Sequence, residues 1–350
     1  MRMDRASLRG LAQTVLGTVA PEALGPTLMH EHLLVDIRPP SKRRPEDLGP
    51  DLRLDTVWAI NYGSLAAARN YLLNDIDLAT AEVQRMLEAG GRTIVELSSG
   101  GLGPRPDALV RIARATGAQI VMGCGHYVDE YQPPANRART VDDFAKDMIT
   151  AAFEGAWGSD VRAGIIGEIG CQAPWTALEQ SVMRGAILAQ RETGLAINVH
   201  PGRHPDQPQE VADFIRAHGG TTERTIISHI DRTIFDTDRM LRLADTGCVL
   251  EFDLFGQESS YYRLADIDMP NDAVRLRAIR ALIDRGHLAR VVISHDICYQ
   301  TRLVALGGHG YGHIFANVVP LMRRRGFSEA EVQAILVDNP RRLLTLTAGL

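Results

Sequence analysis

The sequence predicts a (β/α)8 TIM barrel, and three observations carry that prediction. Short β-branched runs alternate with longer amphipathic stretches at the spacing of one βα unit. Eight such runs can be counted. Several of them end in residues able to hold a metal ion, at the strand ends where enzymes of this fold build their sites. In chain order the predicted strands are Thr27 to Asp36, Arg92 to Ser98, Ala118 to Gly125, Ala163 to Gly170, Leu195 to His200, Arg224 to His229, Cys248 to Leu254 and Arg290 to Asp296. Apolar residues recur at helical spacing over Asp107 to Thr116, Ala177 to Thr193, Pro208 to His218 and Asp272 to Arg285. A barrel of this kind needs about 250 residues, and the surplus falls mainly in a long insertion between strands 1 and 2, residues 38–92. It opens on the Pro- and charge-rich RPPSKRRPEDLGP and contains a helix from about Leu78 to Ala89. Two readings of it stand, a lid or rim over the site and a spacer packed on the barrel wall. No repeat or Gly/Ser linker divides the chain, so residues 1–350 are expected to form one domain.

Composition excludes several function classes. Hydrophobic residues at 45% and charged residues at 23% are globular averages, which leaves no room for long disorder. A net charge of −5 argues against a nucleic-acid or anionic-membrane surface. No apolar run reaches the length of a membrane span, and Gln13, Thr14 and Thr18 interrupt the only N-terminal candidate for a signal segment, Leu11 to Ala20. Cys124, Cys171, Cys248 and Cys298 form no C-x-x-C pair, so neither a zinc knuckle nor a disulfide framework is expected, and a reducing cytoplasmic setting fits.

His30 and His32 stand two apart on one strand, so both imidazoles can point into the barrel. Alone, an H-x-H pair is weak evidence. Glu168, however, interrupts the apolar run Ile165 to Gly170, where a buried carboxylate is costly without a cation beside it. His200, His229 and Asp296 end strands 5, 6 and 8. Six ligands from five strands, four imidazoles and two carboxylates, suit a borderline divalent pair such as zinc or manganese and not calcium.

The segments GPTLMHEHLL, TIVELSSGGLG, RAGIIGEIG, NVHPGRH, ISHIDRT, LEFDLFG, ISHDICYQTRL, GGHGYGHI and DNPRRLL run from one end of the chain to the other. On these the chain resembles the phosphotriesterase family of the amidohydrolase superfamily, and within it the phosphotriesterase-related branch. The resemblance implies a hydrolase with two divalent ions, zinc first and manganese or cobalt as alternatives. By position, His30, His32 and Asp296 would hold the more buried ion and His200 and His229 the more exposed one. Glu168 would bridge them, where founding members have a carboxylated lysine. Two departures bear on the proton relay of those enzymes: Leu254 follows Asp253 where they have a histidine, and Arg232 stands where they have an acidic residue. The implied mechanism is attack by a metal-bridging hydroxide on an amide, lactone or phosphoester centre, amide or lactone favoured, with Asp296 as the proton carrier.

Other candidates are open between two roles. Tyr127 would either stabilise a developing oxyanion or pack at the mouth. Tyr261 would form a substrate wall or a solvent-facing loop. His295 is expected to face the helix layer, and His309 and His313 to shape a loop. Arg203, Arg232 and Arg302 follow ligand-bearing strands and would grip an anionic substrate, unless Asp206, Asp231 and Asp129 pair with them first. A small-molecule substrate and a homodimer are the expected partners. The competing function class is a binding protein on a catalytically weak barrel, since the branch has carried a resiniferatoxin-binding label; promiscuous aryl-phosphotriester hydrolysis is the third reading.

Overall fold

The computed structural model describes residues 8–259 and 262–347. Eight parallel strands lie side by side in chain order: β1 Thr27–Glu31, β2 Thr93–Glu96, β3 Gln119–Cys124, β4 Ile165–Gly170, β5 Ile197–His200, β6 Thr225–Ile227, β7 Val249–Phe252 and β8 Val291–Ile293. Each falls inside one of the runs predicted from sequence, and each is shorter than its run. β1 is trimmed only at its C-terminal end and β4 and β5 only at their N-terminal ends, while the other five are trimmed at both.

The barrel closes between β8 and β1 in an unusual manner. Asp296 donates its N–H to the His30 carbonyl at 3.1 Å, and His30 donates to the Ser294 hydroxyl at 3.0 Å. The buried Glu31 carboxylate accepts from the Ser294 hydroxyl (2.8 Å), the His295 N–H (2.9 Å) and the Ile297 N–H (3.0 Å). A side chain thus supplies the acceptors that a continuing strand would have offered, which satisfies buried backbone donors. His295 Nδ1 lies 2.7 Å from the same carboxylate and its Nε2 accepts from the Ile314 N–H at 3.1 Å, so this histidine is structural, as expected.

Helices cover the outside: α1 Ile76–Glu88, α2 Pro106–Thr116, α3 Val141–Phe153, α4 Ala177–Thr193, α5 Gln207–Ala217, α6 Thr237–Asp245, α7 Asp272–Asp284 and α8 Val319–Arg324. Their starts are encoded locally. Asp75, Asp236 and Asn271 cap α1, α6 and α7, and Thr140 with Asp143 and Thr176 with Glu179 form capping boxes on α3 and α4. No helix among the described residues is long and apolar enough to cross a membrane.

Side chains fill the lumen in layers. Met29, Val95, Val121, Ile165, Ala196, Ile226, Val249 and Val292 form a buried apolar floor, closed from below by Ala12, Leu24, Leu343 and Leu344. Two residues further along β5, β6 and β7 come Asn198, Ser228 and Glu251: the Ser228 hydroxyl and Asn198 amide both donate to Glu251 Oε2 at 2.8 Å. The next step of two brings His200 and Asp253, and from β8 the column Val292, Ser294, Asp296 reaches the same level. Strand alternation therefore sorts the lumen into apolar, hydrogen-bonding and ligand layers.

Part of the insertion is bonded to the loop after β8. The Thr301 N–H donates to Asn70 Oδ1 at 2.9 Å and its hydroxyl to Asn61 Oδ1 at 2.7 Å. Gln300 donates to the carbonyls of Arg69 (3.0 Å) and Leu72 (2.7 Å). These bonds tie residues 61–72 to the loop after β8, so the segment forms the rim.

Candidate metal centre

The six residues singled out from sequence as ligands meet at the mouth of the barrel. Alternation alone would send Ser228 and His229 to opposite faces. His229 has a left-handed backbone (φ 56°) that turns its ring inward, and Asp296 has another (φ 49°). Such conformations cost a non-glycine residue about 1–3 kcal/mol and persist where surrounding contacts over-determine them.

Three groups of possible ligands result among the described residues, each with its atoms within 4.8 Å of one another: two draw on the six predicted residues, His30 with His32 and Glu168, and Glu168 with His200 and His229, and the third joins His30 and His229 to Asp253. Glu168 belongs to the first two. Its Oε1 is 2.5 Å from His200 Nδ1, 3.1 Å from His229 Nε2 and 3.6 Å from His30 Nε2, and its Oε2 is 3.9 Å from His32 Nε2. Asp296 Oδ1 lies 3.2 Å from His32 Nε2 and 3.8 Å from His30 Nε2. His30 Nε2 is fully buried and has no hydrogen-bond partner. A buried ring nitrogen aimed at two carboxylates without bonding either fits a cation between them. The donor set of neutral nitrogens and carboxylate oxygens fits a divalent ion of the zinc class.

A further layer orients the imidazoles, and sequence reasoning did not include it in the site. Asp253 lies 2.9 Å from His229 Nδ1 and 3.1 Å from His30 Nδ1, and it accepts the His229 N–H at 3.1 Å. By occupying both Nδ1 atoms it commits both Nε2 atoms to the centre, the usual arrangement behind metal-ligating histidines. His32 Nδ1 meets the Ser98 hydroxyl at 3.0 Å, which in turn donates to Glu96 at 2.5 Å. The signal was present as Asn198-x-His200, Glu251-x-Asp253 and Ser294-x-Asp296, polar pairs two apart in otherwise apolar strands.

Burial pushes His200 down to about 3, so its ring stays neutral and able to ligate. Burial pushes Glu168 up, but the adjacent His200 and His30 outweigh it and hold the carboxyl well below its ordinary range. Burial also raises the thiols, Cys124 to about 12 and Cys248 to about 11, with Cys171 and Cys298 well above normal. All four cysteines are buried and free, and none has thiolate character.

The centre opens into a cavity of about 1130 Å3. Tyr127 lines it, with its hydroxyl 3.4 Å from His200 Nε2; burial and the Glu168 charge hold its phenol well above the ordinary value, so it remains a donor. Arg203, Arg232 and Arg302 line the cavity too. The acids that stood ready to neutralise them pair elsewhere: Asp206 with Arg239, Asp231 with Arg275 at 2.7 Å, and Asp129 with Arg137. Among the described residues none of the three cavity arginines forms an ion pair with a carboxylate. Arg302 donates to the Asp296 carbonyl at 2.8 Å and to Gln257, and Arg232 to the Pro201 carbonyl at 3.1 Å. Among the described residues Arg203 donates only its Nε, to the Tyr262 hydroxyl at 3.1 Å. Tyr261 lies outside the described residues. His309 lines the cavity, and His313 pairs with Asp272 at 2.7 Å.

The Phosphotriesterase family model matches residues 10–344. An N-acetyltaurine hydrolase of Xenopus tropicalis is 38% identical over 347 residues, covering 97% of this chain and 99% of that protein. Among solved structures, a resiniferatoxin-binding protein from Rhodobacter sphaeroides superposes with a TM-score of 0.89 at 35% identity over 96% of each chain. An organophosphorus hydrolase from Deinococcus radiodurans superposes with a TM-score of 0.78 at 27% identity, over 96% of this chain and 97% of that one.

Proposed function

The chain belongs to the phosphotriesterase family and is a metal-dependent hydrolase of small molecules, and we propose that it cleaves the carboxylic amide or lactone of a substrate carrying a separate anionic group. The observation that carries this reading is the pair of triads sharing Glu168, set beneath three arginines without carboxylate partners. His30, His32 and Asp296 would hold one ion and His200 and His229 the other, with Glu168 between them; zinc suits this set best, manganese and cobalt next. Two ions bound there supply acidification of a water molecule and polarisation of the carbonyl under attack.

The chain's own groups do the rest. The Asp296 carboxylate, 3.2 Å from His32 Nε2 at the mouth of the barrel, is placed to take a proton and pass it to the leaving group. The Tyr127 hydroxyl is placed to donate to the oxygen that gains charge. Arg203 offers its guanidinium fork to a carboxylate or sulfonate, and Arg232 and Arg302 add positive potential around it. Tyr261 is retained as a candidate wall residue. The name of the Xenopus relative, an acylated aminosulfonate hydrolase, agrees with this choice of bond and charge.

The reading treats residues 1–350 as one catalytic domain and takes the protein to be a cytoplasmic homodimer. Free cysteines agree with a reducing compartment. Light scattering that finds only monomer would remove the dimer. The decisive experiment for function combines metal analysis with a panel of N-acyl amino acids, N-acyl aminosulfonates, lactones and aryl phosphotriesters. Turnover of an acylated anion that is lost on chelation is expected. About two ions per chain with no turnover of any member would favour the binding-protein reading, which the Rhodobacter relative's name keeps in play.

A further inference from the structure

Asp296 holds a left-handed backbone (φ 49°), and two separate sets of bonds enforce it. On the β1 side, the His30 carbonyl accepts the Asp296 N–H, and Glu31 accepts the N–H groups of His295 and Ile297 on either side of it. The Asp296 carbonyl is not part of that seam. Among the described residues it accepts only from Arg302, whose Nη1 lies 2.8 Å away.

Arg302 is 9% exposed, and it stands beside a centre built for cations, where a guanidinium carries the wrong charge. Its other acceptor is uncharged as well: Nη2 donates to Gln257 Oε1, and the guanidinium lies 4.5 Å from the Tyr299 ring centroid. A carboxylate in either place would bind the guanidinium more strongly but would itself be a ligand for the ions. Two uncharged oxygens fix the fork without adding a ligand to the centre. Gln257 is fixed in its turn. Within residues 254–257 the Leu254 N–H donates to Asp231 Oδ2 (3.0 Å), the Gly256 N–H donates to Asp272 Oδ1 (2.9 Å), and the Gln257 carbonyl accepts from Arg275 Nη2 (2.9 Å). Arg275, 1% exposed, closes this clamp by donating Nε to Asp231 Oδ2 at 2.7 Å and Nη1 to Asp272 Oδ1 at 2.9 Å. One buried cation thus joins the residue two beyond the ligand His229, the first turn of α7 and the loop that carries Gln257.

We propose that Arg302, Gln257 and Arg275 are positioning residues for Asp296, a hydrogen-bonded chain from α7 to its carbonyl that keeps its carboxylate where it meets an ion and takes the proton. Arg302 acts on Asp296 directly, and Arg275 acts through Gln257. This inference rests on the assignment of Asp296 as ligand and proton carrier above. It also separates Arg302 from Arg203. Loss of Arg203 is felt in the KM of anionic substrates, whereas loss of the chain is felt in kcat, for anionic and neutral substrates alike.

The test uses the zinc-loaded full chain and an anionic and a neutral form of whichever substrate the panel shows to be cleaved. Gln257→Leu removes an acceptor and no charge; kcat should fall about tenfold for both forms, with KM unchanged to within about twofold. Arg302→Met should lower kcat about 10²-fold, and Arg302→Lys should recover only part, because an ammonium does not bridge both acceptors. The losses should not add: Arg302→Met combined with Gln257→Leu should be no slower than Arg302→Met alone. Arg275→Met by itself strands two buried carboxylates, so it is combined with Asp231→Asn and Asp272→Asn, which keep the acceptors for Leu254 and Gly256. That triple variant should match Gln257→Leu in kcat. Chelator competition gives a readout apart from turnover: in each variant one of the two ions should be held about tenfold more weakly and the other as in the wild type.

Additive losses would overturn the proposal. So would a rise in KM confined to the anionic form with kcat preserved, which would make Arg302 a substrate contact. Equal weakening of both ions would also overturn it, since the chain would then support the barrel as a whole. If no member of the panel is cleaved, the functional reading fails, and the chelation arm alone decides: selective weakening of one ion upholds the chain, and unchanged affinity for both removes it.

Discussion

At the strand ends the ligands lean on buried partners. Asp253 holds His30 and His229, and Ser98 with Glu96 holds His32. In the loops above, the arrangement is reversed: three arginines face a cavity, and the acids nearest them in sequence are paired with other cations. The lower region is preorganised for ions that stay, and its unsatisfied atom, His30 Nε2, points inward. The upper region leaves charge uncompensated toward the opening, as a surface that must take up and release an anion requires. If the contrast is real, substitutions below should change metal content and those above should change substrate preference.

The largest effect is expected from Glu168→Ala, which removes a ligand from the two triads that share it. Metal analysis should fall from about two ions to fewer than one, with activity abolished. The apo protein and this variant should both unfold at lower temperature than the loaded one, because an ion bound only by the native state stabilises it; at a free concentration 100 times Kd the gain is about 2.7 kcal/mol. A variant that keeps two tightly bound ions would break the lower half of the comparison.

Asp296→Asn should separate ligation from proton transfer. An amide oxygen still reaches the ion but accepts no proton, so metal content should largely survive while kcat falls about 10²–10⁴-fold. Near-normal turnover would move the proton carrier to another group. Asp253→Asn sharpens the contrast from behind the ligands. It leaves the six ligands in place and weakens the orientation of two of them, for which a loss of about 10–100-fold in metal affinity is expected. Competition titration with a chelator measures this directly, and an unchanged affinity would reduce Asp253 to a packing role.

The barrel and its lower region were legible in sequence because both follow from period two. A polar residue in an apolar strand must face something polar, and the C-terminal ends of parallel strands converge. The columns Ala196–Asn198–His200 and Val249–Glu251–Asp253 show how far that logic reaches, since the floor and the hydrogen-bonding layer follow the same rule. His229 escapes it, because its inward aim depends on a left-handed backbone that no neighbouring residue type announces. The Glu31 seam was hidden for a related reason: its acceptors serve backbone donors 264 residues away. The pairing of the loop acids was equally hidden. Asp231 lies next to Arg232 in sequence, yet α7 brings Arg275 to it, and only tertiary structure decides between them.

The smallest effect, and the one that tests the upper region alone, belongs to Arg203. Arg302 and Arg232 each donate to a main-chain carbonyl, so their removal disturbs the loops as well as the charge. Among the described residues Arg203 donates only to the Tyr262 hydroxyl, and its guanidinium sits 5.8 Å from that tyrosine's ring centroid. Its terminal nitrogens have no acceptor among the described residues, so a bound carboxylate or sulfonate can take both. A charge-assisted hydrogen bond contributes about 1.5–3 kcal/mol, and discounting for the open cavity, Arg203→Ala should raise KM for an anionic substrate about tenfold. The neutral ester or amide of the same acyl group should change little, and Arg203→Lys should recover only part of the loss, because an ammonium supplies a point charge without the fork. Metal content should stay at the wild-type value. If the anionic and neutral substrates lose equally, Arg203 supports the loop and the division between the two regions fails at this residue.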